Sequence, residues 1–180
     1  MESPAPSDLL QPLGNLYRPV GLSLPATEIL DGASIPEPYR TLLVHTRDMT
    51  RTLEAHHAGT IHLRLLSASL EGNRYRRTVA LQLDGSGRPI EFGATEAFLD
   101  RIPEPWRGQI VEGRRPLGGI LNASGIPYLS RPSAYFRTRG DAFIRDALGI
   151  GGEAWMFGRR NTLSDAEGHP LAEIVEILPP

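Results

Sequence analysis

Cysteine and lysine are both missing from this 180-residue chain. Without cysteine there is no disulfide framework, no thiolate nucleophile and no cysteine-ligated zinc or iron–sulfur site. Without lysine there is no Schiff-base chemistry, no pyridoxal anchor and no Walker-type phosphate lysine. All 19 basic residues are therefore arginines, set against 21 acids for a formal charge of -2. Most of that arginine count reads as base composition, since exposed cations need no special reason. A basic excess of the kind that marks nucleic-acid binders is also lacking. No run of about 18 apolar residues occurs, so no membrane-spanning helix is expected. The opening MESPAPSDLLQPLG lacks the basic-then-apolar order of a secretory signal. These absences lead us to expect a cytoplasmic protein that binds neither nucleic acid nor membrane.

The composition that remains, 40% hydrophobic and 22% charged, suits a single globular core. Residues 1–34 read as a proline-rich N-terminal arm, because prolines at 4, 6, 12, 19 and 25 remove donors and break any helical period. Residues 35–180 read as one domain. Pro36-Glu37-Pro38 predicts a helix start, followed by Tyr39, Leu42 and Leu43 at helical spacing. Asp48 or Thr50 is placed to cap a second short helix running to His57. Beyond Gly59 the period becomes two. Ile61, Leu63 and Leu65 alternate with polar neighbours, and Tyr75, Arg77, Val79 and Leu81 share one strand face. Glu71-Gly72-Asn73 and Asp84-Gly85-Ser86-Gly87 supply the turns, and Pro89 to Leu99 reads as a third strand. Short helices are expected over 103–111 and 141–148, with further strands over 133–139, 155–163 and 170–178. Six strands joined mostly by tight turns, with the helices grouped apart, indicate an α+β fold with an antiparallel sheet.

Several candidate motifs reduce to ordinary structure. Gly149-Ile150-Gly151-Gly152 resembles a dinucleotide glycine fingerprint, but a helix precedes it and a strand follows, which reverses the required context. His56, His57 and His62 lack a nearby acid or cysteine to complete a metal shell, so no metal is expected. Arg114-Arg115 and Arg159-Arg160 read as solvated surface charge. The informative positions are Arg77, among apolar neighbours of its own parity, and Glu176, between Val175 and Ile177. A charge on an inward strand face needs a partner. Two readings stand open: a buried Arg77–Glu176 ion pair, or a pocket where both face a bound acid.

Together with their neighbours these positions resemble the chorismate–pyruvate lyase (4-hydroxybenzoate synthase) family, closer to its actinobacterial branch. The resemblance runs from Ile35 to the C-terminus. It is carried by Arg47-Asp48-Met49-Thr50, Tyr75-Arg76-Arg77, Asp84-Gly85, Pro116-Leu117-Gly118, Gly158-Arg159-Arg160 and Gly168-His169-Pro170 with Ile174 to Pro179. It implies a six-stranded antiparallel sheet with helices on one face and two helical flaps over a buried ligand. It further implies a cofactor-free lyase that eliminates pyruvate from chorismate to leave 4-hydroxybenzoate, acting as a monomer or a dimer. By the same resemblance Arg77 grips the ring carboxylate and Glu176 meets the ring hydroxyl and serves as acid–base group. Backbone amides at Met49 and Leu117 help hold the carboxylate or cover the site. Where some members carry a second arginine this chain has Ala94, with Arg159, Arg160 or Arg139 as replacements. The same fold serves as the ligand-sensing domain of bacterial transcription regulators, whose separate DNA-binding module residues 1–35 are too short and proline-rich to supply. A non-catalytic binder of aromatic acids, or a lyase acting on a related cyclohexadienyl acid, are the other readings.

Overall fold

A computed structural model describes residues 9–180; the first eight residues of the expected arm lie outside the described residues. Strands β1 (Thr27–Leu30), β2 (Ile61–Glu71), β3 (Arg74–Leu83), β4 (Pro89–Phe98), β5 (Leu129–Thr138), β6 (Met156–Ser164) and β7 (Pro170–Leu178) build one sheet. Their spatial order is β1-β5-β6-β7-β4-β3-β2, and every adjacent pair is antiparallel. The α+β class expected from the alternating pattern is found. The sheet has seven strands instead of six because Thr27–Leu30, inside the expected arm, pairs with Thr138 to Tyr135 of β5.

Helices α1 (Leu13–Tyr17), α2 (Tyr39–Leu43), α3 (Met49–His57), α4 (Trp106–Glu112), α5 (Leu117–Ser124) and α6 (Ala142–Leu148) cover the sheet. Asp48 is the N-cap of α3, its Oδ1 accepting from the Arg51 amide at 2.8 Å. Asp141 does the same for α6 through the Ile144 amide at 2.8 Å, and Gly149 ends that helix in the left-handed region. No helix among the described residues is long and apolar enough to cross a membrane.

Strand parity decides which side chains meet which helices, since alternate residues face opposite ways. Phe92, Ala94, Val175 and Ile177 point to one face, where α6 and the segment Leu9 to Tyr17 pack on them. The arm therefore contributes Leu9, Leu10, Leu13 and Tyr17 to the core, and Leu24 packs beside them. Leu22 and Ile29 stay exposed. Proline masked this segment in the sequence, because a five-residue helix and a four-residue strand are too short to show a period. On the other face α4 and α5 cover Ala97, Ala172 and Ile174. There α2 and α3 cover Leu81 and Leu178.

The close approach of β6 to its neighbours depends on Gly158. A Cβ there would lie 2.5 Å from the Glu176 carbonyl oxygen and 2.6 Å from the Phe136 ring. Because one of those atoms is sheet backbone, Gly158→Ala is expected to cost about 1–3 kcal/mol. Urea unfolding checks this: the midpoint falls while the slope is unchanged.

Candidate ligand-binding site

On the α2–α5 face the centre of the sheet is left polar. Arg77, Val79 and Leu81 of β3 lie beside Glu91, Gly93 and Thr95 of β4, then Ile174 and Glu176 of β7, then Arg159, Asn161 and Leu163 of β6. The first turns of α3 (Met49 and Thr50, after Arg47 and Asp48) and of α5 (Leu117 and Gly118, after Pro116) close over them, with Tyr128 and Ser130 at one side. The space between sheet and flaps is about 60 Å³. Cavities that admit benzene run near ~150 Å³, so an aromatic ring enters only as the flaps lift.

Arg77, Glu91, Glu176 and Arg159 are 2%, 4%, 4% and 0% exposed, a density of buried charge that an ordinary core avoids. They are not equally satisfied. Arg159 donates from Nε to Glu176 and from Nη1 to the carbonyls of Leu43 (3.0 Å) and His45 (2.9 Å). His45 Nε2 lies 2.7 Å from the Leu42 carbonyl, and its Nδ1 accepts from the Arg47 amide at 3.1 Å. Burial, and after it the Arg159 charge, push the His45 imidazole down to about 4, so it is neutral near pH 7.

Arg77 has no carboxylate partner among the described residues. Its Nη2 donates to the Arg115 carbonyl at 3.2 Å, and its Nη1 has no hydrogen bond there. Burial lowers its pKa, with the neighbouring Tyr75 hydroxyl opposing, yet an arginine remains charged at any working pH. The buried Arg77–Glu176 pair left open by the sequence is not formed. Register explains why: Glu176 lies directly across from Arg159, whereas β4 stands between β7 and Arg77. Two strand spacings put β3 about 10 Å from β7.

Glu91 is the residue that sequence reasoning missed. Its Oε2 is buried without a hydrogen bond among the described residues. Its pKa is raised well above the usual carboxylate range, first by burial and then by Glu176, with Arg159 opposing. The available signal was an acid between Ile90 and Phe92, the same pattern that marked Glu176. Arg159, expected either as surface charge or as a replacement for the second family arginine, is buried at the cavity. Arg160 reaches Glu173 at 3.5 Å and Arg139 reaches Glu153 at 2.9 Å, both outside the cavity.

The flaps are joined to each other. Asn122 Nδ2 donates to Asp48 Oδ2 at 3.2 Å, and the Tyr128 hydroxyl donates to Asn122 Oδ1 at 3.0 Å. Burial pushes the Tyr128 phenol up to about 12, which keeps it a donor. A Cβ on Gly118 would overlap the Asp48 carboxylate. Gly118→Ala is therefore expected to part the flaps, and amide hydrogen exchange over 47–50 and 117–122 reads this as faster exchange with the sheet unchanged. Met49 and Leu117 begin the two flap helices, with their side chains in the flap cores and at the cavity.

No protein-family model matches this chain. Curated proteins yield no match either. Solved structures do. The effector domain of PhnF from Mycobacterium smegmatis is similar at a TM-score of 0.56 and 13% identity, over 73% of this chain and 87% of that one. A structure of PhnF itself gives 0.56 and 13% over 91% and 92%. A ligand-binding domain assigned to a GntR-family transcriptional regulator from Bordetella bronchiseptica gives 0.50 and 10% over 67% and 83%. At these identities the likeness shows the fold, the chorismate lyase-like α+β architecture expected above. It overturns the expected activity, because the proteins that share the architecture here are effector and ligand-binding domains. The chorismate lyase expectation, with its pyruvate release and 4-hydroxybenzoate synthesis, is withdrawn. The acid–base role expected of Glu176 belonged to that activity; in the structure its carboxylate is paired with Arg159.

Proposed function

We propose that this domain is a ligand-binding module of the effector type, which encloses a compact carboxylic acid between sheet and flaps. One observation carries the reading: the Arg77 guanidinium is buried, faces the cavity and has neither an acid nor a partner for Nη1 among the described residues. A buried charge without a counter-charge is costly. A ligand carboxylate offsets that cost through a charge-assisted bond to the guanidinium. Binding thus gains where the fold loses. Val79, Leu81, Leu163 and Ile174 flank the polar groups and suit the faces of an aromatic ring. Arg77 anchors the carboxylate, while Glu176, held by Arg159, and the flap residues Met49 and Leu117 complete the enclosure. Because the closed cavity is smaller than a ring needs, ligand entry displaces α3 and α5. The displacement gives the bound state a different surface, which is what a sensory domain requires.

Calorimetric titration with benzoate and with benzamide, its uncharged analogue, tests this. We expect one site per chain, with benzamide bound at least ~30-fold more weakly, a charge-assisted contact being worth about 2 kcal/mol or more. Equal affinity for the two would remove Arg77 as anchor and the reading with it.

A further inference from the structure

We infer that the open edge of the sheet is a dimer interface, where β2 pairs antiparallel with β2 of a second copy across a two-fold axis at Ala68. Nothing in this depends on Arg77 or its ligand. Strand β2 ends the sheet: β3 takes one side of its backbone, and no strand pairs with the other among the described residues. A free edge is a template for further pairing, so proteins keep it short or interrupt it with proline and charge. The far edge obeys that rule, since β1 has four residues and starts just after Pro25. Strand β2 runs for 11 residues without proline, and its stretch from Leu65 to Leu70 carries no charge. Among the large apolar side chains that stand exposed, Leu65 and Leu70 lie on this strand, and Val20 and Leu22 lie in the arm beside it.

The strand is complementary to itself in one register. Its partners in β3 define the two faces. Leu65, Ala68 and Leu70 oppose Val79, Arg77 and Tyr75 on the cavity side. Arg64, Ser67, Ser69 and Glu71 oppose Ala80, Thr78, Arg76 and Arg74 on the other. Leu66 is the extra residue of a bulge between Leu65 and Ser67, and it packs on the α1–α6 side. Two strands related by a two-fold axis normal to the sheet must match face to face. An axis at Ala68 meets that condition along the whole stretch. Ala68 opposes the partner's Ala68, Leu65 opposes the partner's Leu70, and Arg64 opposes the partner's Glu71. The Leu66–Ser67 bulge spans the partner's Ser69, so the slip in one strand is repeated in the other. Arg64 and Glu71 are exposed and make one side-chain bond each within the chain, to the Ala147 carbonyl and to Arg76. An unrelated strand has no reason to carry this pattern of apolar pair, opposite charge and bulge; a second copy supplies all three.

The geometry has two consequences. An axis normal to the sheet leaves both cavities and both pairs of flaps on the same side of the joined sheet. Pairing also uses up the open edge of each copy, so assembly closes at two.

The experiment has two arms. In the first, sedimentation velocity of the full chain over a wide concentration range should show a reversible monomer–dimer equilibrium. E71R sets arginine against arginine twice per dimer and should weaken it about tenfold. The double variant R64E/E71R reverses both charges and should restore the dimer to within roughly threefold of wild type. The second arm uses the absence of cysteine from the chain. Directly opposed Cα atoms of an antiparallel pair lie about 4.5–5.5 Å apart, within the range a disulfide spans. A68C should therefore cross-link to a covalent dimer under mild oxidation. S86C, whose thiol would sit in the exposed β3–β4 turn, should remain uncross-linked. A wild type that stays monomeric at every concentration overturns the inference, as does assembly beyond two copies. A dimer that is indifferent to E71R and leaves A68C uncross-linked uses another surface and overturns it too. A double variant no tighter than E71R overturns the register.

Discussion

Arg77→Met is expected to abolish carboxylate binding while raising the melting temperature of the ligand-free protein. The two effects share one cause. The guanidinium is desolvated beside the Tyr75 hydroxyl, with one bond from Nη2 to the Arg115 carbonyl and none from Nη1 among the described residues. Methionine fills similar space without a charge. Relief of a buried unsatisfied group is worth about 1–3 kcal/mol. For a chain of this length that amounts to a rise of several degrees, at roughly 2–4 °C per kcal/mol. With ligand present the sign reverses. Loss of a buried charge-assisted contact costs about 2–5 kcal/mol, roughly 30-fold to several thousand-fold in affinity. Calorimetry and thermal melts on the same sample read both. A variant that melts lower and binds benzoate normally would make Arg77 a structural residue.

Glu176→Ala is expected to be the most damaging single substitution in the site. It strips Arg159 of its carboxylate while the guanidinium stays buried and tied to the carbonyls of Leu43 and His45. Severing one partner of a buried pair costs about 3–5 kcal/mol, a fall of roughly 6–20 °C in melting temperature. The double variant Arg159→Met with Glu176→Leu removes both charges together. It should be closer to wild type than Glu176→Ala, because the penalty lies in the unpaired charge and not in the lost attraction. A double-mutant cycle with additive losses would show that the pair is not coupled.

Much of this architecture was legible because its elements are long and regular. The parity that put Tyr75, Arg77, Val79 and Leu81 on one face holds in β3, and the turns at 72–73 and 84–87 close the hairpins as their glycines require. Asp48 was one of two caps the sequence offered, with Thr50, and it is the one used; Asp141 opens the expected 141–148 helix as its N-cap. Thr27–Leu30 was not readable. A four-residue edge strand has no period, and its pairing with β5 is fixed by residues more than a hundred positions away.

The site was legible by halves. Arg77 and Glu176 stood out as charges in apolar strands, and both reach the cavity. Which cation neutralises Glu176 depends on strand order, and sequence parity carries no information on that. Arg159 followed directly by Arg160 looked like surface charge. Adjacent strand residues face opposite ways, so one of the two enters the cavity and the other meets Glu173. Glu91 had the same local signature as Glu176 and was overlooked. A pair of buried acids served by one arginine becomes visible only once β4 and β7 are known to be neighbours.

The central claim is that a carboxylate docks on Arg77 beneath the flaps. A crystal structure of the complex with benzoate tests it most directly. The expected result is a ligand carboxylate within about 2.7–3.2 Å of Arg77 Nη1, with the first turns of α3 and α5 displaced to admit the ring. A ligand bound outside the sheet–flap cavity, or one whose carboxylate points to Glu91 and leaves Arg77 Nη1 unpaired, would contradict it.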